Sequence, residues 1–91
     1  YHSVLCSSFA HIAFDECGSL ETFSGSKLVT IDCTDAKLRP HDLETPLLRL
    51  GDVHGAQPAV ISITQPTEYG VLYRPEEIRA LASFAKSRGL L

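Results

Sequence analysis

Apolar and polar positions along the chain fall into short blocks that predict a repeated strand–helix order. Val4 to Cys6 is a short apolar run that predicts a buried strand, and the small residues from Ser7 to Ala10 make a turn leading to His11. The pattern from Phe14 to Phe23 is mixed. Asp15 and Glu16 precede a short helix expected to end near Ser24 and Gly25, where an acidic pair suits the positive end of the helix dipole. Lys27 to Ile31 predicts a second strand, with Leu28, Val29 and Ile31 supplying β-type packing, and Asp32 to Lys37 reads as a polar loop.

Leu43, Leu47 and Leu50 then share one helical face. Pro40 suits a first helical turn, where the missing N–H is no loss, but an interior Pro46 would cost about 3 kcal/mol. The stretch from Pro40 to Leu50 is therefore expected as two short helical pieces, with Thr45 capping the second, and Gly51 as the stop. Ala59 to Ile63 is the most apolar run and predicts a strand covered on both faces. Pro75 to Arg88 predicts the longest helix. Proline opens it, Glu76 and Glu77 fill its first turn, and Ile78, Leu81, Ala82 and Ala85 share a face. Lys86 and Arg88 close it before Gly89. Three successive strand–helix units imply an α/β fold with a mainly parallel sheet and right-handed crossovers. In such a sheet chemistry gathers beyond the C-terminal strand ends, which singles out the loops Ser7–Ile12, Asp32–Lys37 and Gln65–Gly70.

Composition narrows the function. A net charge of −3 with no Lys/Arg cluster leaves no electrostatic footprint for nucleic acid. The apolar runs are too short to span a membrane, and the start lacks the pattern of a signal peptide. Three irregularly spaced cysteines, Cys6, Cys17 and Cys33, argue against a disulfide framework and suit a reducing cytoplasm. Tyr1 is no initiator methionine, and Gly89-Leu90-Leu91 reads as a helix stop followed by the opening of another strand. Residues 1–91 are thus expected to be an internal segment of a larger domain, truncated at both ends.

Two histidines are candidates for chemistry. His11 follows the first strand, and His54 lies in the loop Gly51-Asp52-Val53-His54-Gly55; imidazole titrates near neutrality and serves as acid or base. Position alone favours a surface or hydrogen-bonded structural role for each. His11, Asp15, Glu16 and Cys17 cluster in sequence, yet their spacing matches no metal motif, and an acidic pair at a helix start is more often a cap. Cys6 in its apolar strand reads as inert. Cys17, near a helix start, has the better nucleophile placement, without a Cys-X-X-Cys pair to support it. Six scattered glycines form neither phosphate-binding fingerprint. Pattern alone stops at a cytosolic α/β segment with two candidate histidines.

The residues themselves go further. Ala10-His11-Ile12, Asp15-Glu16-Cys17-Gly18, Ser24-Gly25-Ser26-Lys27-Leu28, Lys37-Leu38-Arg39-Pro40 with Asp42-Leu43, Gly51-Asp52-Val53-His54 and Tyr73-Arg74-Pro75-Glu76-Glu77-Ile78 follow one another in the order and spacing of a known family. From about Val4 to Leu91 the chain resembles the threonine aldolase and β-eliminating lyase family. Ile63-Thr64-Gln65-Pro66-Thr67-Glu68-Tyr69-Gly70 is closer to its low-specificity and phenylserine aldolase branch. The resemblance implies part of the large domain of a fold-type-I, aspartate aminotransferase-like enzyme that uses pyridoxal 5'-phosphate. Such enzymes cleave β-hydroxy-α-amino acids to glycine and an aldehyde. It also implies that His11 stacks on the cofactor ring near the substrate hydroxyl and that His54 is a second histidine near that hydroxyl. Thr64 and Gln65 sit where a strand end would reach the cofactor. Gly55 and Ala56 follow His54 where many members carry an aromatic residue. The family's phosphate-binding segment, pyridine-nitrogen aspartate and Schiff-base lysine are expected outside these residues, since Lys27, Lys37 and Lys86 match none of them. The segment alone is expected to be inactive. Its partners are expected to be a small amino-acid substrate and further copies of itself, in a homotetramer or dimer with shared active sites. A related β-eliminating lyase and a non-catalytic α/β interaction module are the alternatives.

Overall fold

The computed structural model describes all of residues 1–91. Its centre is strand β1, His2–Ser7, which pairs in parallel with β2, Lys27–Ile31, on one side and with β3, Gln57–Ile61, on the other. The register sets Ser3 opposite Lys27 and Ser7 opposite Ile31, and His2 opposite Gln57. Flanked on both edges, β1 is buried from Ser3 to Ser7, which accounts for its unbroken run of small and apolar side chains. A parallel pair needs a crossover that returns the chain to the same end of the sheet. The first crossover holds two short helices, α1 (His11–Phe14) and α2 (Ser19–Ser24). The second holds a 3-10 turn, Pro40–Leu43, running into α3 (Glu44–Leu47).

The last helix, α4 (Pro75–Ser87), follows its sequence signals closely. The Glu77 carboxylate accepts the Arg74 N–H at 2.6 Å, which satisfies one amide ahead of the first turn. At the far end Leu90 N–H reaches Ala85 O at 2.9 Å and Gly89 N–H reaches Lys86 O at 3.3 Å, with Gly89 at φ 71°. That pair of bonds is the Schellman stop, and it turns Leu90 back into the core. Leu91 then exchanges bonds with Ala59 O and Ile61 N–H in the parallel pattern, on the free side of β3.

The core lies on one face of the sheet, where Leu5, Ile31, Leu38, Leu43, Leu47, Tyr73, Leu81, Ala85 and Leu90 form one buried cluster. Helices α1 and α2 bury none of their own residues.

The short helix expected after Asp15 and Glu16 is α2, which ends at Gly25 as the sequence implies, while α1 is an additional helix ahead of the acidic pair. Two expectations shift. The helix broken by proline is indeed in two pieces, but the junction falls between Leu43 and Glu44. Pro46 is the third residue of α3, still within the first turn, where its missing N–H breaks no helical bond. Strand β3 runs two residues earlier than expected, and its side chains are mostly half-buried. An open apolar groove of about 180 Å³ lies beside its C-terminal end, lined by Ile61, Ile63, Ile78, Leu81, Ala85 and Leu91 among others.

Leu5 has no exposed surface and joins the sheet to the cluster on the helical side. Leu5→Ala is expected to cost about 2–5 kcal/mol, a large part of the stability of a small domain. Urea denaturation measures this, and a loss under about 1 kcal/mol would contradict so central a placement.

Candidate functional site

The three strands end at a common edge, and the chain leaving β1 and β3 there forms a small, shallow depression. Ser7 and the turn Phe9-Ala10-His11 make one side of it, and Ser62, Ile63, Thr64, Thr67 and Glu68 the other, with Ala36 and Tyr73 closing the back. This is the edge at which a parallel α/β sheet presents side chains and backbone to a ligand. Phe9 packs on Tyr69 with ring centroids 4.8 Å apart, which ties the two sides together. Ser7 Oγ accepts the Phe9 N–H at 3.1 Å and the Cys33 thiol at 3.2 Å, so the turn leaving β1 is anchored to the strand beneath it.

His11 is the first residue of α1, with its side chain 49% exposed at the rim. Its Nδ1 lies 3.2 Å from Glu16 Oε1, while Glu16 Oε2 accepts the Ser19 hydroxyl at 3.2 Å. An ionised carboxylate only accepts, so in this contact Nδ1 carries the proton and a neutral ring keeps its lone pair on Nε2. Glu16, which in sequence reads as an acid ahead of a helix, is thus the hydrogen-bond partner of His11. The signal for it was the five-residue step from His11, which a break between α1 and α2 turns into a contact.

Of the other residues singled out by sequence, Thr64 lines the depression and Gln65 does not; it is exposed in the loop that turns at the cis Gln65–Pro66 peptide. Because β3 ends at Ile61 rather than Ile63, the residues that reach the depression are Ser62, Ile63 and Thr64. His54 is placed apart from His11. It precedes β3, whose first residue pairs with His2 at the start of β1, so it lies at the opposite end of the sheet. The length of β1 alone separates the two ends by roughly 17 Å. The loop of His54 is well fixed. The Gln57 amide donates to Asp52 O and Gly55 O at 2.8 and 3.0 Å, and His54 N–H donates to Asp52 Oδ1 at 2.8 Å, leaving the imidazole exposed.

Lys37, expected in a polar loop, is buried. Its ammonium is 2.5 Å from Glu77 Oε2 and 3.2 Å from Leu72 O, and sits 5.3 Å from the centre of the Tyr73 ring. Two residues earlier, Asp35 is gripped by both terminal nitrogens of Arg39, at 3.0 and 2.5 Å. None of the lysines lines the depression. No group of three or more His, Cys, Asp or Glu side chains gathers as a metal site, and no helix is long and apolar enough to cross a membrane.

Comparison with known proteins adds to this geometry. A family model described as beta-eliminating lyase matches residues 1–91. The low specificity L-threonine aldolase of Pseudomonas sp. (strain NCIMB 10558) is 46% identical over 91 residues, covering 99% of this chain and 26% of its own length. That of Pseudomonas aeruginosa is 44% identical over the same shares. Among solved structures, the threonine aldolase of Leishmania major superimposes with a TM-score of 0.91 at 32% identity, over 98% of this chain and 26% of its own. The chain therefore spans about a quarter of the length of the relatives it matches.

Two carboxylates behind the depression carry a pH dependence. The Lys37 ammonium holds Glu77 down from 4.5 to about 2, and the Arg39 guanidinium holds Asp35 down from 3.8 to about 2. Folded values below the unfolded ones mean that both pairs stabilise fully above about pH 4.5 and lose that contribution as pH falls towards 2. The Asp35→Asn, Glu77→Gln double variant is expected to lose stability less steeply over that window. Urea midpoints measured from pH 5 downward, with a slope unchanged from wild type, would show that neither pair matters.

Proposed function

Because the chain belongs to the beta-eliminating lyase family, we propose that it is part of the cofactor-binding domain of a longer pyridoxal-phosphate-dependent aldolase. That enzyme cleaves threonine-like β-hydroxy-α-amino acids to glycine and an aldehyde. The observation that carries this reading is His11. It stands half-exposed over a depression at the C-terminal edge of the sheet, with Nδ1 committed to Glu16 and Nε2 free. The names of the relatives, low specificity L-threonine aldolase and threonine aldolase, supply the substrate class.

The residues present fit one face of a flat aromatic cofactor. The imidazole of His11 offers a stacking surface at the rim, and Thr64 lines the same depression. With no lysine in the lining, the covalent link to the cofactor comes from elsewhere in the longer chain. When bound, the cofactor supplies the electron sink for the pair left behind as Cα–Cβ breaks. His11 Nε2 accepts the proton of the substrate β-hydroxyl as that bond breaks, and Glu16 offsets the positive charge the ring then gains. Phe9, packed on Tyr69, lines the depression together with His11.

His54 fits this scheme only in an assembly. Lying at the other end of β1, it can meet a substrate hydroxyl only in the site of a second copy, in keeping with a homo-oligomer whose sites are shared.

The full-length enzyme with pyridoxal phosphate is expected to release glycine from threonine or phenylserine, and a protein inert to both would sink the aldolase reading. In it, His11→Asn is expected to lower kcat by about 100-fold or more, the scale of a lost general base. Glu16→Gln is expected to have a smaller effect of the same sign, since an amide no longer fixes the tautomer. Unchanged turnover in His11→Asn would return that histidine to a structural role. For His54, mixing inactive His11→Asn and His54→Asn enzymes is expected to restore part of the activity through hybrid oligomers. Two inactive variants that never complement would place His54 in its own chain's site or outside the chemistry.

A further inference from the structure

The back wall of the depression is Ala36 and Tyr73, two residues far apart in sequence with no chemistry of their own. Ala36 is 4% exposed and has φ 60°, a left-handed conformation that costs an L-residue other than glycine about 1–2 kcal/mol. Such a conformation persists only where its neighbours over-determine it, and here both neighbours are anchored. Asp35 is held by the Arg39 guanidinium, and its Oδ1 also accepts the Lys37 N–H at 3.2 Å. The Lys37 side chain, 7% exposed, reaches across to the start of α4, where Glu77 Oε2 and Leu72 O take two of its three protons. The Tyr73 ring lies against the same ammonium, and its hydroxyl accepts the Leu38 N–H at 2.8 Å. Glu77 in turn holds the Arg74 N–H at 2.6 Å. The loop that carries Ala36 and the strap that carries Tyr73 are thus joined through one charge pair, and neither member of that pair lines the depression.

We propose that Lys37 and Glu77 are positioning residues for the His11 site, a part-buried clamp that sets the distance between the Ala36 loop and the Tyr73 strap and thereby the shape of the wall behind the bound cofactor and substrate. This rests on the aldolase reading and adds to it two residues that touch neither reactant. A purely structural pair would be replaced at a cost in stability alone. A positioning pair changes binding when it is lost, whether stability falls, holds or rises, because an apolar substitute at a buried ion pair is often neutral for stability.

The test uses the full-length enzyme. Lys37→Met keeps the length of the side chain and removes its charge. Glu77→Gln keeps the shape of the carboxylate and its bond from Arg74. Leu81→Ala in α4, a core residue away from the depression, is the stability-matched control. Titration of each apoenzyme with pyridoxal 5'-phosphate, followed by visible absorbance and circular dichroism, gives the Kd and the asymmetry of the bound chromophore. Both clamp variants are expected to bind on the order of tenfold more weakly, with a reduced visible dichroic band and a raised KM for threonine. Leu81→Ala is expected to lower Tm and leave Kd and KM as in wild type. If Lys37→Met does not fold, Glu77→Gln decides alone. Clamp variants with wild-type Kd, dichroism and KM would overturn the proposal, as would Leu81→Ala weakening binding as much as they do. A wild-type enzyme that neither binds the cofactor nor cleaves threonine would instead overturn the aldolase reading itself.

Discussion

The parallel pairing of β1 on both of its edges is the constraint from which the rest follows. A strand that is hydrogen-bonded on two sides and buried from Ser3 to Ser7 fixes the direction of both neighbours. With all three strands parallel, every segment that leaves a strand emerges at one edge, and every segment that enters one does so at the other. His11, Ala36 and Thr64 come together because each lies downstream of a different strand. His54 stands apart because it lies upstream of one. No side-chain interaction is needed to explain that sorting; it is a property of the topology. One slip in register would exchange Leu5 with its neighbours across the sheet and empty the core of its central side chain.

Much of this was legible from sequence, because the signals involved are local. The alternation of apolar runs with an amphipathic helix specified the parallel α/β order. The proline, acidic first turn and glycine stop of α4 each correspond to a capping feature seen in the structure. What remained hidden depends on contacts between distant residues. Lys37 reads as loop polarity until its carboxylate partner, forty residues later, is known to stand above it. Glu16 reads only as an acid ahead of a helix until the short helix α1 is known to bring His11 within reach of it. The placement of β3 was two residues off because Ile61 and Ile63 are equally apolar. Only the bonds of the β1 ladder show that the strand ends at the first, and with it which side chains reach the site.

The burial of Lys37 follows a rule that its loop context conceals. An ammonium removed from water loses several kcal/mol of hydration, which an ion pair repays only when the remaining protons are also satisfied. Here a carboxylate, a carbonyl and the face of an aromatic ring surround it. A hydrophobic residue could fill the space, but it could not specify where two backbone segments meet to within a hydrogen-bond length. Directional contacts do that, and the wall they align is the one part of the depression built from segments outside the β1 and β3 ends.

The contact between His11 and Glu16 obeys the opposite rule. Both side chains are well exposed, and a pair of this kind in water contributes about 0–1 kcal/mol. Its strength is set by what covers it, because the same charges at the same 3.2 Å attract several-fold more strongly once water is excluded. The segment therefore carries a dyad whose geometry is present but whose electrostatics are incomplete. What this segment fixes is the orientation of the His11 ring, through a carboxylate that is itself held by the Ser19 hydroxyl.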